Sequence, residues 1–572
     1  RAWFPCKQDL NDKVDSMDVI ITVPVGNKVA TNGKLISSNT QGGNITYHWK
    51  HRFPIATYLI SLSVTNYAEY TDTIQMNNQV LNILNYVYPE NLATWQSQSP
   101  QLKPMFKFFD SLFVDYPFMS EKYGHAQFPW GGGMEHQTMS SMVNLSPLLL
   151  IHEGAHQWFG DRVTCSSWEH IWLNEGFATF CEGIGAERGV YPGQTFLNWK
   201  IGSRNNATAA GTENGSVWVN DTTNVGRIFN GSLTYSKGGM LAHMLRWQCG
   251  NLPFFAGIRN YLNDPQIQYG FANTALLQSH LEASSGQNLA DFFNDWFYGR
   301  GFPSYQIGYY QYPGTNLLRV QVSQTQSSGT PNVAFFNAPL EIVVVNGATR
   351  DSFVLNPTFS GQIFDVPLSF PIAQLLFDPN FRIISKNNLI TQNGLLPVKF
   401  LSFNGRWNGD KVIDLSWSTS EEFYCASYSV EYSKDGSHFE VLKTLPCKYN
   451  APYDYVCSDM NAEDVNYYRI IQRDYDGTKE ISKVITLSRE PKNASILFPN
   501  PTYDGQISIN TKDKLNFIEI YNNLGQSVYQ ANVYSQTKWE GDFSFLPTGV
   551  YTIKLTFENL SSENLRWMNL RR

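Results

Sequence analysis

At 572 residues, with 42% hydrophobic and 15% aromatic content, the chain is too long for one core and too apolar to be disordered. Only 16% of residues are charged and the formal net charge is −7, with no basic stripe carrying interleaved aromatics, so no nucleic-acid partner is expected. No apolar run reaches the length of a membrane span, and seven Cys are too few for a disulfide scaffold.

Residues 1–74 alternate as strands, as in Asp18–Val23 and Tyr58–Val64, with turn residues at Asn32-Gly33 and Gly42-Gly43-Asn44. From 75 to 303 the period turns largely helical, and Met105–Phe113 places Phe and Leu at core spacing. Gln127–Met134 reads as an edge strand whose glycines let another backbone approach closely.

Ile151-His152-Glu153-Gly154-Ala155-His156 then contains His-Glu-x-x-His, the pattern by which one helix offers two imidazoles to a zinc ion. Pro147 opens this helix and Gly160 is expected to end it. His152 and His156 share one face, and Glu153 lies beside it, where a carboxylate can deprotonate a water. The best third ligand is Glu175 in Trp172-Leu173-Asn174-Glu175-Gly176, on a second helix read over 168–188. Glu169 and Asp161 are candidate acceptors for the imidazole N–H groups, and Glu182, two turns beyond Glu175, is either another or a solvated carboxylate. Gly154 inside the zinc helix costs about 1 kcal/mol relative to Ala. His136, His170 and His243 read as polar or core residues rather than ligands, and Lys237 has a plain reading as a surface cation. Cys165 and Cys181 read as small buried residues, while Cys447 and Cys457, flanking a Tyr- and Pro-containing loop, could pair.

Gly132-Gly133-Met134-Glu135 upstream, the two zinc helices, and Tyr235-Ser236-Lys237-Gly238-Gly239 downstream stand in one order. Over residues 1–303 they resemble the gluzincin zinc peptidases of the aminopeptidase N and leukotriene-hydrolase family. His136 departs from the Asn that many members have there. The resemblance implies one Zn2+ per chain on His152, His156 and Glu175, with Glu153 as general base and Tyr235 as oxyanion donor. It also implies that Gly132, Gly133 and Met134 hold the substrate backbone and that Glu135 takes its free α-ammonium. Arg1–Cys6 resembles the middle of the family's N-terminal domain, so the true beginning and a second amine anchor are expected upstream.

After a β-sandwich read over 304–390, residues 397–488 resemble a fibronectin-type-III-like module. Residues 494–572, with Leu497-Phe498-Pro499-Asn500-Pro501 and Leu546-Pro547-Thr548-Gly549-Val550-Tyr551, resemble the C-terminal sorting domain of type IX secretion. The expected fold is multidomain α+β: a partial N-terminal β-domain (1–74), a thermolysin-like, mainly helical zinc peptidase domain (75–303), and three β-sandwich modules. The expected function is a zinc aminopeptidase acting on peptides with a free N-terminus. It would be exported by type IX machinery to the outside or outer surface of a Gram-negative bacterium. A leukotriene-hydrolase-like epoxide hydrolase and a non-catalytic adhesion protein are the alternatives.

Overall fold

A computed structural model describes the chain apart from residues 1–3, 8–9, 77–78, 191–192, 312–315, 329–331, 393–399, 420–424, 449–452, 475–476, 478, 490–494 and 571–572. It divides into two compact units, Arg1–Leu395 and Leu396–Arg572. The expected boundaries at 397 and 494 fall outside the described residues.

In the first unit, strands Met17–Pro24, Asn44–His51 and Lys34–Gln41 form an antiparallel sheet with Asn44–His51 in the middle. Its hairpin closes through Gly42 (φ 57°) and Gly43 (φ 83°), the two left-handed residues that a two-residue turn demands. Trp49, Val29 and Ala30 share a buried apolar cluster with Tyr86 and Ala126 of the next sheet and with Met139 beside it. Tyr58 departs from the expected strand: it sits in a 3-10 turn, Thr57–Leu59, and the strand begins only at Leu62.

The second sheet comprises β1 (Ala68–Met76), β2 (Gln79–Val87), β3 (Tyr123–Gln127), β4 (Gly133–Met134) and β5 (Ser140–Met142). Its order is β4-β5-β3-β2-β1, with β3 parallel to both neighbours and β4 antiparallel to β5. β1 runs through the boundary expected at 74, because its pairing with β2 continues without a break from Ala68 to Met76. The expected strand 127–134 is interrupted: residues 128–132 loop out, and only Gly133–Met134 returns to the sheet, at its edge.

Helices cover this sheet. In α1 (Leu102–Leu112) the buried residues Leu102, Met105, Phe106 and Phe109 recur at helical spacing. Phe106 and Phe109 pack edge-on to the buried Trp158 at centroid distances of 5.5 and 5.7 Å. The helices α2 (Pro147–Ala155), α3 (Glu175–Glu187) and α4 (Gly238–Cys249) come next. One continuous core joins them to the next two sheets, of four and three strands within 303–392, for example where Trp296 meets Phe336 at 4.8 Å.

In the second unit, Trp417, Tyr428 and Tyr455 centre the core between sheets Phe400–Trp407/Ile413–Thr419/Tyr453–Asp459 and Glu440–Pro446/Cys425–Ser433/Val465–Asp474. The disulfide joins Cys425 to Cys447, not Cys447 to Cys457, which stays a buried thiol. Strands Cys425–Ser433 and Glu440–Pro446 are antiparallel neighbours with Ser427 opposite Pro446, so Cys425 and Cys447 meet at one end of the pair. The last block, expected as a sandwich, is a single five-stranded sheet among the described residues. Its two 16-residue strands, Gln506–Tyr521 and Ser527–Asp542, shift register between Asn510 and Leu515, and the sheet closes on Ile520, Phe543 and Trp567.

Candidate active site

Pro147 takes the first turn of α2, where its missing N–H is no loss, with Ser146 in the capping position. The helix closes at Ala155, earlier than a Gly160 stop would give. His156 keeps helical angles (φ −58°, ψ −23°), so the two imidazoles still share one face, 4.8 Å apart by ring centroid. Gly154 is explained by packing: a Cβ there would come within 2.7 Å of the Phe106 ring, so the helix lies flush on α1.

Each imidazole is oriented from behind. His152 Nδ1 donates to Glu182 Oε1 at 2.8 Å, and His156 Nδ1 donates to the Phe159 carbonyl at 3.0 Å. Glu182 thus takes the orienting role. Glu169 and Asp161 do not: the Glu169 carboxyl turns to Ser167, and neither Asp161 carboxyl oxygen bonds an imidazole. Asp161 is buried just past the helix end, where Lys13 Nζ donates to its backbone carbonyl at 3.0 Å.

With both Nδ1 atoms engaged, both Nε2 atoms face Glu175 Oε2, at 3.2 Å from His152 and 3.3 Å from His156. Burial works against charge on Glu175, but His156 and His152 outweigh it and hold the carboxyl well below its usual range. Two imidazoles and one carboxylate, converging beside the cavity, are the donor set of a catalytic zinc, and the residues fit that ion. The second helix expected over 168–188 breaks in two, a 3-10 segment Trp168–Leu173 and then α3, so that Glu175 opens α3.

α3 reaches this position because glycines let it touch α4. A Cβ on Gly176 would lie 2.9 Å from the Gly238 backbone, and one on Gly239 would lie 2.9 Å from Thr179. Tyr235 precedes this contact on a π-helical turn, Gly231–Lys237, and its ring stacks on His152 at 5.9 Å. Burial and the carboxylates of Glu175, Glu135 and Glu153 raise its hydroxyl above the usual range, so it stays a proton donor. Lys237 is no surface cation: it is buried, and its Nζ donates to the carbonyls of Gly215 (3.1 Å) and Gly301 (2.8 Å).

Glu153 is buried, and burial pushes its carboxyl up to about 7 although both imidazoles pull it down, a value suited to a general base. Glu135 directly succeeds the edge strand, and burial raises it as well. Its carboxylate lies with the Glu153 carboxylate and the His156 imidazole in a group whose ligand atoms are within 4.8 Å of one another. Met134 tucks against Ile55, Ala56 and Leu59, while Gly131 and Gly132 have open space around them. A cavity of about 750 Å³ is lined by Gly132, Gly133, Met134, Glu135, Glu153, Tyr235 and the three candidate ligands.

Tyr58, Trp168 and Phe229 complete its wall, and sequence reasoning did not single them out as site residues. His136 and His170 bond Ser141 and Thr274, away from the ligand set, and His243 is buried against Phe196 and Trp199. Cys165 and Cys181 are buried thiols, as expected.

A mainly helical lobe with two imidazoles and a carboxylate beside a sheet edge defines the class of zinc metallopeptidases. Residues 133–296 match the Peptidase family M1 domain, and residues 496–565 match the Secretion system C-terminal sorting domain. The chain carries an M1 peptidase domain, that of the aminopeptidase N family, and a type IX sorting domain. The leucyl aminopeptidase of Saccharolobus solfataricus is 23% identical over 371 residues, 60% of this chain and 45% of that protein. Probable aminopeptidase 1 of Sulfurisphaera tokodaii is 23% identical over 402 residues, 65% of this chain and 45% of that protein. The chain thus spans about half the length of these curated relatives. Aminopeptidase A of Legionella pneumophila, solved with aspartic acid, shares the fold at TM-score 0.57 and 17% identity, over 66% of this chain and 45% of that one. No helix among the described residues is long and apolar enough to cross a membrane.

Proposed function

We propose that the chain is an exported, zinc-dependent aminopeptidase that removes N-terminal residues from peptides. His152, His156 and Glu175 would hold the zinc, which polarises the scissile carbonyl and makes water acidic enough to lose a proton near neutrality. Glu153 takes the proton of the attacking water and delivers it to the leaving amine. The Tyr235 hydroxyl donates to the carbonyl oxygen as negative charge develops there. Gly133 and Met134 present an edge to which the substrate main chain adds as a strand, with Gly132 leaving room for it. Glu135 binds the α-ammonium. The remaining parts serve placement: the N-terminal β-domain and 304–390 frame the peptidase domain, 397–488 is a spacer, and 494–572 addresses the chain to type IX machinery for release or display outside a Gram-negative cell.

The observation that carries this reading is the place of Glu135, at the end of the edge strand and in the same cavity as the ligand set. A carboxylate there stops a peptide from running further and rewards a terminal cation. Aminoacyl chromogenic substrates, free and N-acetylated, test it. Strong preference for free amines is expected, and equal kcat/KM for both forms would overturn it.

A further inference from the structure

Glu135 must stand at a fixed distance from the ligand set, yet β4 is only two residues long and pairs with Met142 and Ser141 alone. Gln137 and Thr138, just past His136, are held far more firmly. Thr138 sits at φ 65°, a region that a β-branched residue rarely adopts. Three groups hold it there: its N–H donates to Gln157 Oε1 (2.9 Å), its hydroxyl accepts from Gly33 N (2.9 Å) and Lys122 Nζ (3.3 Å), and its carbonyl accepts from Lys122 Nζ (2.8 Å).

The neighbouring Gln137 is clamped too. Its carbonyl accepts from Asn32 Nδ2 at 2.5 Å, and its Nε2 donates to His51 Nε2 at 2.8 Å and to the Pro54 carbonyl at 3.1 Å. His51 Nδ1 in turn donates to Glu121 at 2.6 Å. All of these side chains are buried, so each bond is made in a low-dielectric interior where leaving it unmade is costly.

The chain positions of these contacts matter. Gln157 directly succeeds the metal ligand His156, Asn32 lies in the bend before strand Lys34–Gln41, His51 ends strand Asn44–His51, and Gln137-Thr138 begins two residues after Glu135. We infer that the clamp of Gln157, Asn32 and Lys122 on Gln137-Thr138 is the positioning device that sets Glu135 against the metal site. Resting on the aminopeptidase reading, this makes the clamp the determinant of how strictly the enzyme requires a free amine. The need is concrete, because Glu135, Glu153 and His156 already gather within 4.8 Å, so a small shift of Glu135 alters its contact with both.

The test uses the full chain loaded with zinc, and Gln157→Leu, Thr138→Ala and Thr138→Ser. Gln157→Leu and Thr138→Ala should each raise KM for free-amine substrates about ten-fold, with kcat changed less than about two-fold. The ratio of kcat/KM between free and N-acetylated substrates should fall by the same factor, at one zinc per chain. Thr138→Ser, which keeps the hydroxyl, should restore both. If Gln157→Leu does not fold, as judged by circular dichroism, Thr138→Ala carries the test, since it deletes only the γ atoms within the loop. An unchanged ratio in folded, zinc-loaded variants, or no difference between Thr138→Ser and Thr138→Ala, overturns the inference. A wild-type enzyme indifferent to acetylation instead overturns the aminopeptidase reading, before any variant is made.

Discussion

Gly133 and Glu153 are in direct contact, and a Cβ at Gly133 would stand 2.6 Å from the Glu153 carboxyl carbon. The glycine of the edge strand therefore serves the general base as well as an approaching backbone. Gly133→Ala should push the Glu153 carboxylate aside and lower kcat by about 10²-fold, the scale of a misplacement near 1 Å. Zinc content should not change, because His152, His156 and Glu175 are untouched. Wild-type kcat in Gly133→Ala would show that Glu153 can shift without loss.

Gly154 makes a second case in which a helix rule and packing oppose each other. By propensity alone, Gly154→Ala should stabilise α2 by about 1 kcal/mol. The added methyl meets Phe106 at 2.7 Å, and overpacking of this kind costs about 1–3 kcal/mol. The expected outcome is a lower melting temperature for Gly154→Ala, recovered when Phe106→Leu is added. A rise in melting temperature in the single variant would refute the packing account.

These glycines also mark what the sequence could disclose. The imidazole pair was legible because i,i+4 spacing on a helix is local geometry, whereas Glu182, two turns beyond Glu175 on the same face, stayed open between an orienting and a solvated carboxylate. The partner of His156 was not, since a backbone carbonyl (Phe159) carries no residue-type signal and serves only because the helix ends early. Tyr58 was hidden by a strand-like pattern in a segment that forms a 3-10 turn. Cys425 pairs with Cys447 through an antiparallel register that sequence separation does not reveal. Lys237 looked like an ordinary cation because its acceptors, the carbonyls of Gly215 and Gly301, are distant in the chain.

Metal dependence is expected from the convergent Nε2 and Oε2 atoms. A chelator should abolish activity and zinc should restore it. Glu153→Gln should bind zinc as the wild type does while kcat drops about 10²–10⁴-fold, the usual contribution of a general base. Full activity in a sample shown by elemental analysis to be metal-free would end the zinc assignment.

Lys237 gives the fold a pH dependence of known sign. Burial lowers its amine from 10.5 to about 7 in the folded chain. Between those values the unfolded chain binds a proton that the folded chain lacks, so stability rises with pH from about 7 to about 10.5. Relative to Lys237→Met, the wild type should gain resistance to urea as pH is raised from 7 to 10. A difference that stays flat over that range would mean that the amine remains charged between its two carbonyls.

The final prediction separates trimming from the end of a peptide from cutting within it. A peptide N-terminus has a pKa of about 7.7–8.0, so it arrives at neutral pH mostly as a cation, and Glu135 is the cavity carboxylate that directly follows the edge strand in the chain. Removing one partner of a buried charge pair costs about 2–5 kcal/mol, or roughly 30- to several-thousand-fold in kcat/KM. Glu135→Ala should lose that much on free-amine substrates while keeping its zinc, because His152, His156 and Glu175 are untouched. N-acetylated peptides should be poor substrates for the wild type and no worse for the variant, since they bring no cation for Glu135 to hold. Wild-type kcat/KM should also decline on the alkaline side as the substrate amine loses its proton, a limb that Glu135→Ala should lack. If the variant instead hydrolyses free peptides at the wild-type rate, Glu135 is a structural carboxylate and the end of the substrate is recognised elsewhere.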